Sequence, residues 1–176
     1  MVQLLAAMRG SSPIPLERVE KVIVGTSAFA AKNNANASPT DTMEAQYSIP
    51  YCAAVALAGD AANPCEFSEP AIHEPTRLAL ARRVEVRVDP ESEAVYPARF
   101  GSRVELHLTS GEVKHGATLD PHGTAADPCS RDEIVAKFKR LATQPNARID
   151  SDAVVAAAAR IDGLASVRDL TALLRV

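Results

Sequence analysis

Val104-Glu105-Leu106-His107-Leu108-Thr109-Ser110-Gly111-Glu112-Val113 alternates apolar and polar side chains, and the pattern breaks at Ser110-Gly111. Side chains along a strand point to opposite faces in turn, so Val104, Leu106 and Leu108 share one buried face, away from Glu105 and His107. Ser110-Gly111 supplies a tight turn, and Val113 to Thr118 is expected to return antiparallel as a hairpin. Upstream, Val84-Glu85-Val86-Arg87-Val88 repeats the alternation, and Val22-Ile23-Val24 within Val19 to Thr26 reads as a further strand. Ser48-Ile49-Pro50 opens a helix, because Ser caps free amides and Pro is tolerated in a first turn. That helix runs through Tyr51, Val55 and Leu57 and is expected to stop at Gly59 in the left-handed conformation. A second helix spans about Pro75 to Arg82, whereas the Asn-rich stretch from Ala30 to Asp41 reads as loop. The expected fold class is α+β: an antiparallel sheet of about four strands with two covering helices.

After Asp120 the character changes. Pro121, Gly123 and Pro128 mark a loop, and everything beyond reads as helix. Ser130 and Glu133 form a capping box ahead of Ile134, Phe138 and Leu141. A second helix spans about Asp152 to Ile161, with Val154, Ala158 and Ile161 in line, and ends at Gly163. Ser166 caps a third that carries Val167, Leu170 and Leu174. The chain therefore divides into an α+β domain over 1–127 and C-terminal helices over 128–176. A sheet of four strands cannot easily bury three more apolar stripes, and short helices are marginal without packing. These helices are expected to be buried in a self-association interface, a homodimer that also uses Leu4, Leu5 and Met8. Those first residues read as the end of a helix stopped at Gly10, which points to an upstream part.

Composition narrows the function classes. Hydrophobic residues make up 47% and charged residues 23%, which fits a soluble globular chain; with no Trp, the core must be aliphatic. The net charge is −3, and the one dense basic cluster, Lys137-Phe138-Lys139-Arg140, is spread round a helix, which excludes a general nucleic-acid binder. The longest uninterrupted apolar run, Cys52 to Ala58, is far below the roughly 20 residues that span a bilayer. Arg9 follows the N-terminal apolar stretch instead of preceding it, which argues against a signal peptide. Cys52, Cys65 and Cys129 show no Cys-x-x-Cys spacing, so free thiols in a reducing compartment, the cytoplasm, are expected.

His73, His107, His115 and His122 show no metal-ligand spacing; His107 reads as a solvent-face residue and His115 as partly covered through its parity with Val113. No metal or organic cofactor is expected. Tyr47, Ser48 and Tyr51 stand out, since two phenols flank a helix start. Exposed first-turn amides there favour a carboxylate, and a phenol can donate a proton. The same residues also fit a plainer reading, in which Tyr47 and Tyr51 anchor the helix in the core.

Pro39-Thr40, followed by Glu44-Ala45-Gln46-Tyr47-Ser48-Ile49-Pro50-Tyr51-Cys52-Ala53-Ala54-Val55-Ala56-Leu57-Ala58-Gly59, resembles a signature of the MmgE/PrpD family at the helix of its smaller domain. Phe67-Ser68-Glu69 to Val84-Glu85-Val86, the hairpin around Ser110-Gly111, and Pro128-Cys129-Ser130 to Lys137-Phe138 resemble its later segments in the same order. Members include 2-methylcitrate dehydratases, cis-aconitate decarboxylases and iminodisuccinate epimerases. The resemblance implies a large helical domain, an α+β lid inserted into it, and C-terminal helices that return to the large domain. It implies proton abstraction next to a carboxylate of a small di- or tricarboxylic acid, without a cofactor. It also implies a catalytic Tyr51, with the Ser48 helix start bordering the substrate; Tyr47, at the same helix start, is the further substrate-binding candidate. The principal Asp, His and Lys of the family have no counterpart here. The expected role is therefore the lid portion of a split or partial enzyme, inactive without a helical catalytic half. The alternative is a non-catalytic carboxylate-binding or association module.

Overall fold

The computed structural model describes residues 1–142 and 149–175, which form two units, Met1–Asp127 and Pro128–Val176. In the first, α1 (Val2–Arg9) leads to strand β1 (Val19–Thr26), then to α2 (Ala28–Asn33), α3 (Thr42–Tyr47), α4 (Ile49–Ala58), α5 (Glu69–Ile72) and α6 (Pro75–Ala81). Strand β2 (Val84–Val88), helix α7 (Pro90–Val95), and the hairpin of β3 (Ser102–Leu108) and β4 (Val113–Thr118) complete it. The second unit holds α8 (Arg131–Ala142), α9 (Ser151–Ala158) and α10 (Val167–Ala172).

The class is α+β with a four-stranded sheet, and its order is β2-β1-β3-β4. The sheet is mixed where a purely antiparallel one was expected. β1 and β3 pair antiparallel, as do β3 and β4, but Val22–Thr26 pairs parallel with Val84–Val88. The cause is the connection: parallel strands need a long crossover, and α2 through α6 supply one.

Val22 and Val24 stand in register with Leu106 and Val104, and all four are fully buried on one sheet face. Leu5 of α1 and Ala53, Ala54 and Leu57 of α4 share the core with them. α1 is thus part of this unit's own core, with Leu5 buried and Leu4 and Met8 partly covered. Its close approach is possible at Gly116, where an added Cβ would sit 2.9 Å from the Met8 methyl. Lys114 Nζ donates to the Met8 carbonyl at 3.0 Å at the helix end. The inward side of β4 is consequently Lys114, Gly116 and Thr118, while Val113 and His115 are exposed, the reverse of the expected parity.

Gly111 turns the hairpin with φ +87°, in the left-handed region where glycine has no steric penalty. Gly59, expected there too, instead has φ −154°. It leaves α4 extended, so that its carbonyl accepts the Arg9 guanidinium. In the second unit, Ser130 and Glu133 form the reciprocal cap of α8, with Glu133 N–H on Ser130 Oγ at 3.2 Å and Ser130 N–H on Glu133 Oε2 at 2.7 Å. Ser166 and Asp169 do the same for α10. Val154 and Ala157 are buried, whereas Ile134, Ile161, Val167 and Leu174 are exposed. No helix among the described residues is long and apolar enough to cross a membrane.

Candidate functional site

The start of α4 is built by the Asn-rich segment before it. Ser48 ends α3 and caps α4, and its Oγ accepts the Tyr51 N–H at 3.0 Å while donating to the Asn36 carbonyl. The Ile49 N–H donates to the Asn34 carbonyl at 2.8 Å, and Cys52 N–H reaches Ser48 O at 2.9 Å. Pro50 has no N–H to give. Every first-turn donor is therefore taken inside the chain, and none is left for a carboxylate. The open amides expected after Ser48 are absent because residues 34–36, expected to be loop, run back against the helix end.

Tyr51 is fully buried beside Val55, Ile72 and Phe67. Its hydroxyl lies 2.7 Å from the Glu66 carbonyl and 3.1 Å from that of Ala71, and Arg77 Nη1 donates to it at 3.2 Å. Arg77 Nη2 in turn pairs with Glu66 Oε2 at 2.5 Å. Burial pushes the phenol above its ordinary value and outweighs the opposing pull of the Arg77 hydrogen bond and charge, so the proton is held. The hydroxyl is therefore not at an open surface, contrary to the accessibility expected for Tyr51. The side chain pins the 64–72 segment to α4, as the plainer reading had it.

Tyr47 points the other way. It is 65% exposed and borders a cavity of about 270 Å³ with Asn33, Asn36, Met43, Glu44 and Ser48. Asn34 Nδ2 holds the Tyr47 carbonyl at 2.9 Å, and Glu44 Oε2 accepts from the Thr40 N–H and hydroxyl at 2.8 and 3.0 Å. The structure thus brings Tyr47 and Ser48 to one cavity, while Tyr51 touches Ser48 only through its N–H and directs its phenol away, to the Glu66 and Ala71 carbonyls. What remains is a hydrogen-bonding surface with one accessible phenol.

A second cluster has no contiguous motif in the sequence. Asp89 caps α7 by accepting the Ser92 N–H and hydroxyl at 2.9 and 2.8 Å, and Arg103 Nε donates to it at 3.1 Å. Burial raises its pKa, but the bonds from Ser92 and Arg103 prevail and hold the carboxyl below its ordinary 3.8. A depressed carboxylate stabilises the fold above the unfolded value and loses that contribution as pH falls through the folded one. The stability difference between the wild type and Asp89→Asn, read by urea unfolding, is expected to be constant from pH 7 to 5. It should shrink below pH 3.8. A difference independent of pH down to acid unfolding would show that the charge is not what matters.

The histidines are dispersed. His73 pairs with Glu69 at 3.4 Å, His107 with Glu105 at 3.2 Å and His122 with Asp127 at 3.1 Å. Among the described residues, no group of three or more His, Cys, Asp or Glu is placed to hold a metal ion. Cys52 is half-buried, and desolvation pushes its thiol up to about 11, so it stays protonated. A further cavity, of about 290 Å³, lies at the end of β1 and β3. No curated protein matches the sequence. A family model, the MmgE/PrpD C-terminal domain, matches residues 1–162.

Proposed function

The chain belongs to the MmgE/PrpD family, matching its C-terminal domain, and we propose that it serves as the lid portion of a lyase or isomerase acting on di- or tricarboxylic acids. The reaction class is dehydration, decarboxylation or epimerisation, each begun by proton abstraction next to a carboxylate. The base and its partners come from a helical catalytic half outside these 176 residues. The extent of the family match carries this reading: residues 1–162 fit the C-terminal domain alone. Tyr47 and the cavity beside it then form the lid's contribution to the substrate surface, with no metal or organic cofactor, in the cytoplasm. The test is co-expression with an MmgE/PrpD helical half, followed by assay over a panel of di- and tricarboxylic acids. A co-purifying pair that turns over one of them supports the proposal.

A second reading, a non-catalytic association module, is favoured by the internal satisfaction of Tyr51 and of the α4 amides. Failure of any helical half to bind or to give turnover would favour it.

Both readings place the association surface on the second unit. α8 and α9 leave an apolar groove of about 610 Å³ lined by Ile134, Phe138, Val154, Val155 and Ala158. Without a catalytic half, the chain is proposed to bury it against a second copy. Phe138→Glu, a charge in the centre of that face, is expected to weaken self-association by tenfold or more, roughly 1.4 kcal/mol. Sedimentation at micromolar concentration reads this directly, and a wild-type monomer there would contradict the expectation.

A further inference from the structure

We propose that the cavity at the end of β1 and β3 is a binding site for a small, planar, uncharged compound: an aromatic ring bearing an amide or hydroxyl. Its volume of about 290 Å³ suits a single substituted ring, near the lower end of small-molecule sites. One wall is apolar, with Val24 from the sheet and Ile49 from the first turn of α4. The other is a row of rings. Phe29 stacks on Tyr96 with centroids 5.9 Å apart and planes 13° from parallel, and Phe100 meets Tyr96 edge-on at 5.9 Å. A ring entering the cavity extends this row with the offset or edge-on contacts that aromatic pairs prefer.

The polar group that points to a ligand is Ser102. It is 7% exposed, and its Oγ is buried without a hydrogen-bond partner. Ser102 shares strand parity with Val104, which lies opposite Val24, so its side chain is on the face that carries the cavity. Buried hydroxyls are nearly always paired, and an orphan at a cavity wall takes its partner from the occupant. The Thr26 hydroxyl beside it reaches only the Gly101 carbonyl at 3.4 Å, a long bond that leaves its accepting capacity open. Ser102, free to donate and accept, and Thr26, free to accept, fit an amide or hydroxyl substituent. Among the described residues, no Asp, Glu, Lys, Arg or His side chain lines the cavity, and burial lowers the pKa of the Met1 amino group at its wall, so a buried carboxylate lacks a fixed counter-charge there.

Benzamide and benzoate, of equal shape and different charge, are the probes, each titrated into the full chain and followed by amide NMR. The expected result is saturable benzamide binding in the millimolar range, with shifts confined to residues 24–34, 48–50 and 96–102 and the chain start near Met1. Benzoate should bind at least tenfold more weakly. Ser102→Ala should weaken benzamide about five- to tenfold, the usual worth of one hydrogen bond. Ala30→Leu, which fills the cavity from the less buried α2, should abolish binding; it serves as the second variant if Ser102→Ala fails to fold. Benzoate binding as tightly as benzamide would overturn the proposal, as would shifts that do not saturate or that fall on residues 131–159. So would binding that neither variant changes.

Discussion

Truncation of Tyr51 to alanine is expected to lower stability by about 3–5 kcal/mol, the range for deleting a large buried aromatic. The ring fills the space between α4 and the 64–72 segment, where Phe67 packs at 5.8 Å and Ile72 is fully buried. Tyr51→Phe keeps that volume and loses the hydroxyl alone. Arg77 Nη1 still donates to the Glu66 and Ala71 carbonyls at 3.1 and 3.3 Å, so the cost falls to about 1 kcal/mol. Arg77→Ala removes the donor shared by the phenol, both carbonyls and Glu66, and about 1–3 kcal/mol is expected. The series Tyr51→Ala, Arg77→Ala, Tyr51→Phe, in falling order of damage, is what an internal anchor gives. A catalytic phenol at an open surface would give small stability changes for all three, and denaturant unfolding distinguishes the two.

Addition of a helical catalytic half is expected to change rate far more than any substitution within this chain. Each positioned acid or base contributes typically 10²–10⁴-fold, and in the proposed function the base and its partners belong to that half. An assembled pair should therefore exceed the chain alone by about 10²-fold at the least. In the pair, Tyr51→Phe should leave the rate within a few-fold of wild type, because a phenol held by two carbonyls and a guanidinium donates no proton to substrate. Tyr47→Phe, at the exposed cavity, should raise KM more than it lowers kcat if the phenol only binds.

The strands were legible because their signal is local. Alternation at 84–88 and 104–108 marks a half-buried surface whatever the partners are, and Ser110-Gly111 marks the turn. The caps at Ser48, Ser130 and Ser166 were equally readable, since a capping side chain acts on amides two or three residues away. Pairing was not. Whether Val84–Val88 runs parallel to β1 depends on where the crossover helices return the chain, and no local pattern encodes that. The helices α2, α3 and α7, six residues each, are too short to show a 3.6-residue period, although their caps Ser27, Asp41 and Asp89 are ordinary capping residues.

Tyr51 shows the limit most clearly for the site. Its position three residues into a capped helix identifies the helix end but not what covers the ring. The cover comes from residues 64–72, drawn in by Arg77, more than ten residues away in sequence. The Asn-rich stretch misled for a related reason: Asn34 and Asn36 present carbonyls that close the α4 start, a backbone role that composition does not reveal. The Ser102 cavity left no motif, because strand pairing and the 96–102 segment assemble it.

The most direct measurement is turnover by the pure 176-residue protein on the panel of di- and tricarboxylic acids, beside the same protein mixed with a helical catalytic half. The chain alone should show no dehydration, decarboxylation or epimerisation above background, and the mixture should show one of them. Saturable turnover that follows the isolated protein through purification and is lost in Tyr51→Phe would contradict the account, since it would put a working acid where the structure has an anchor.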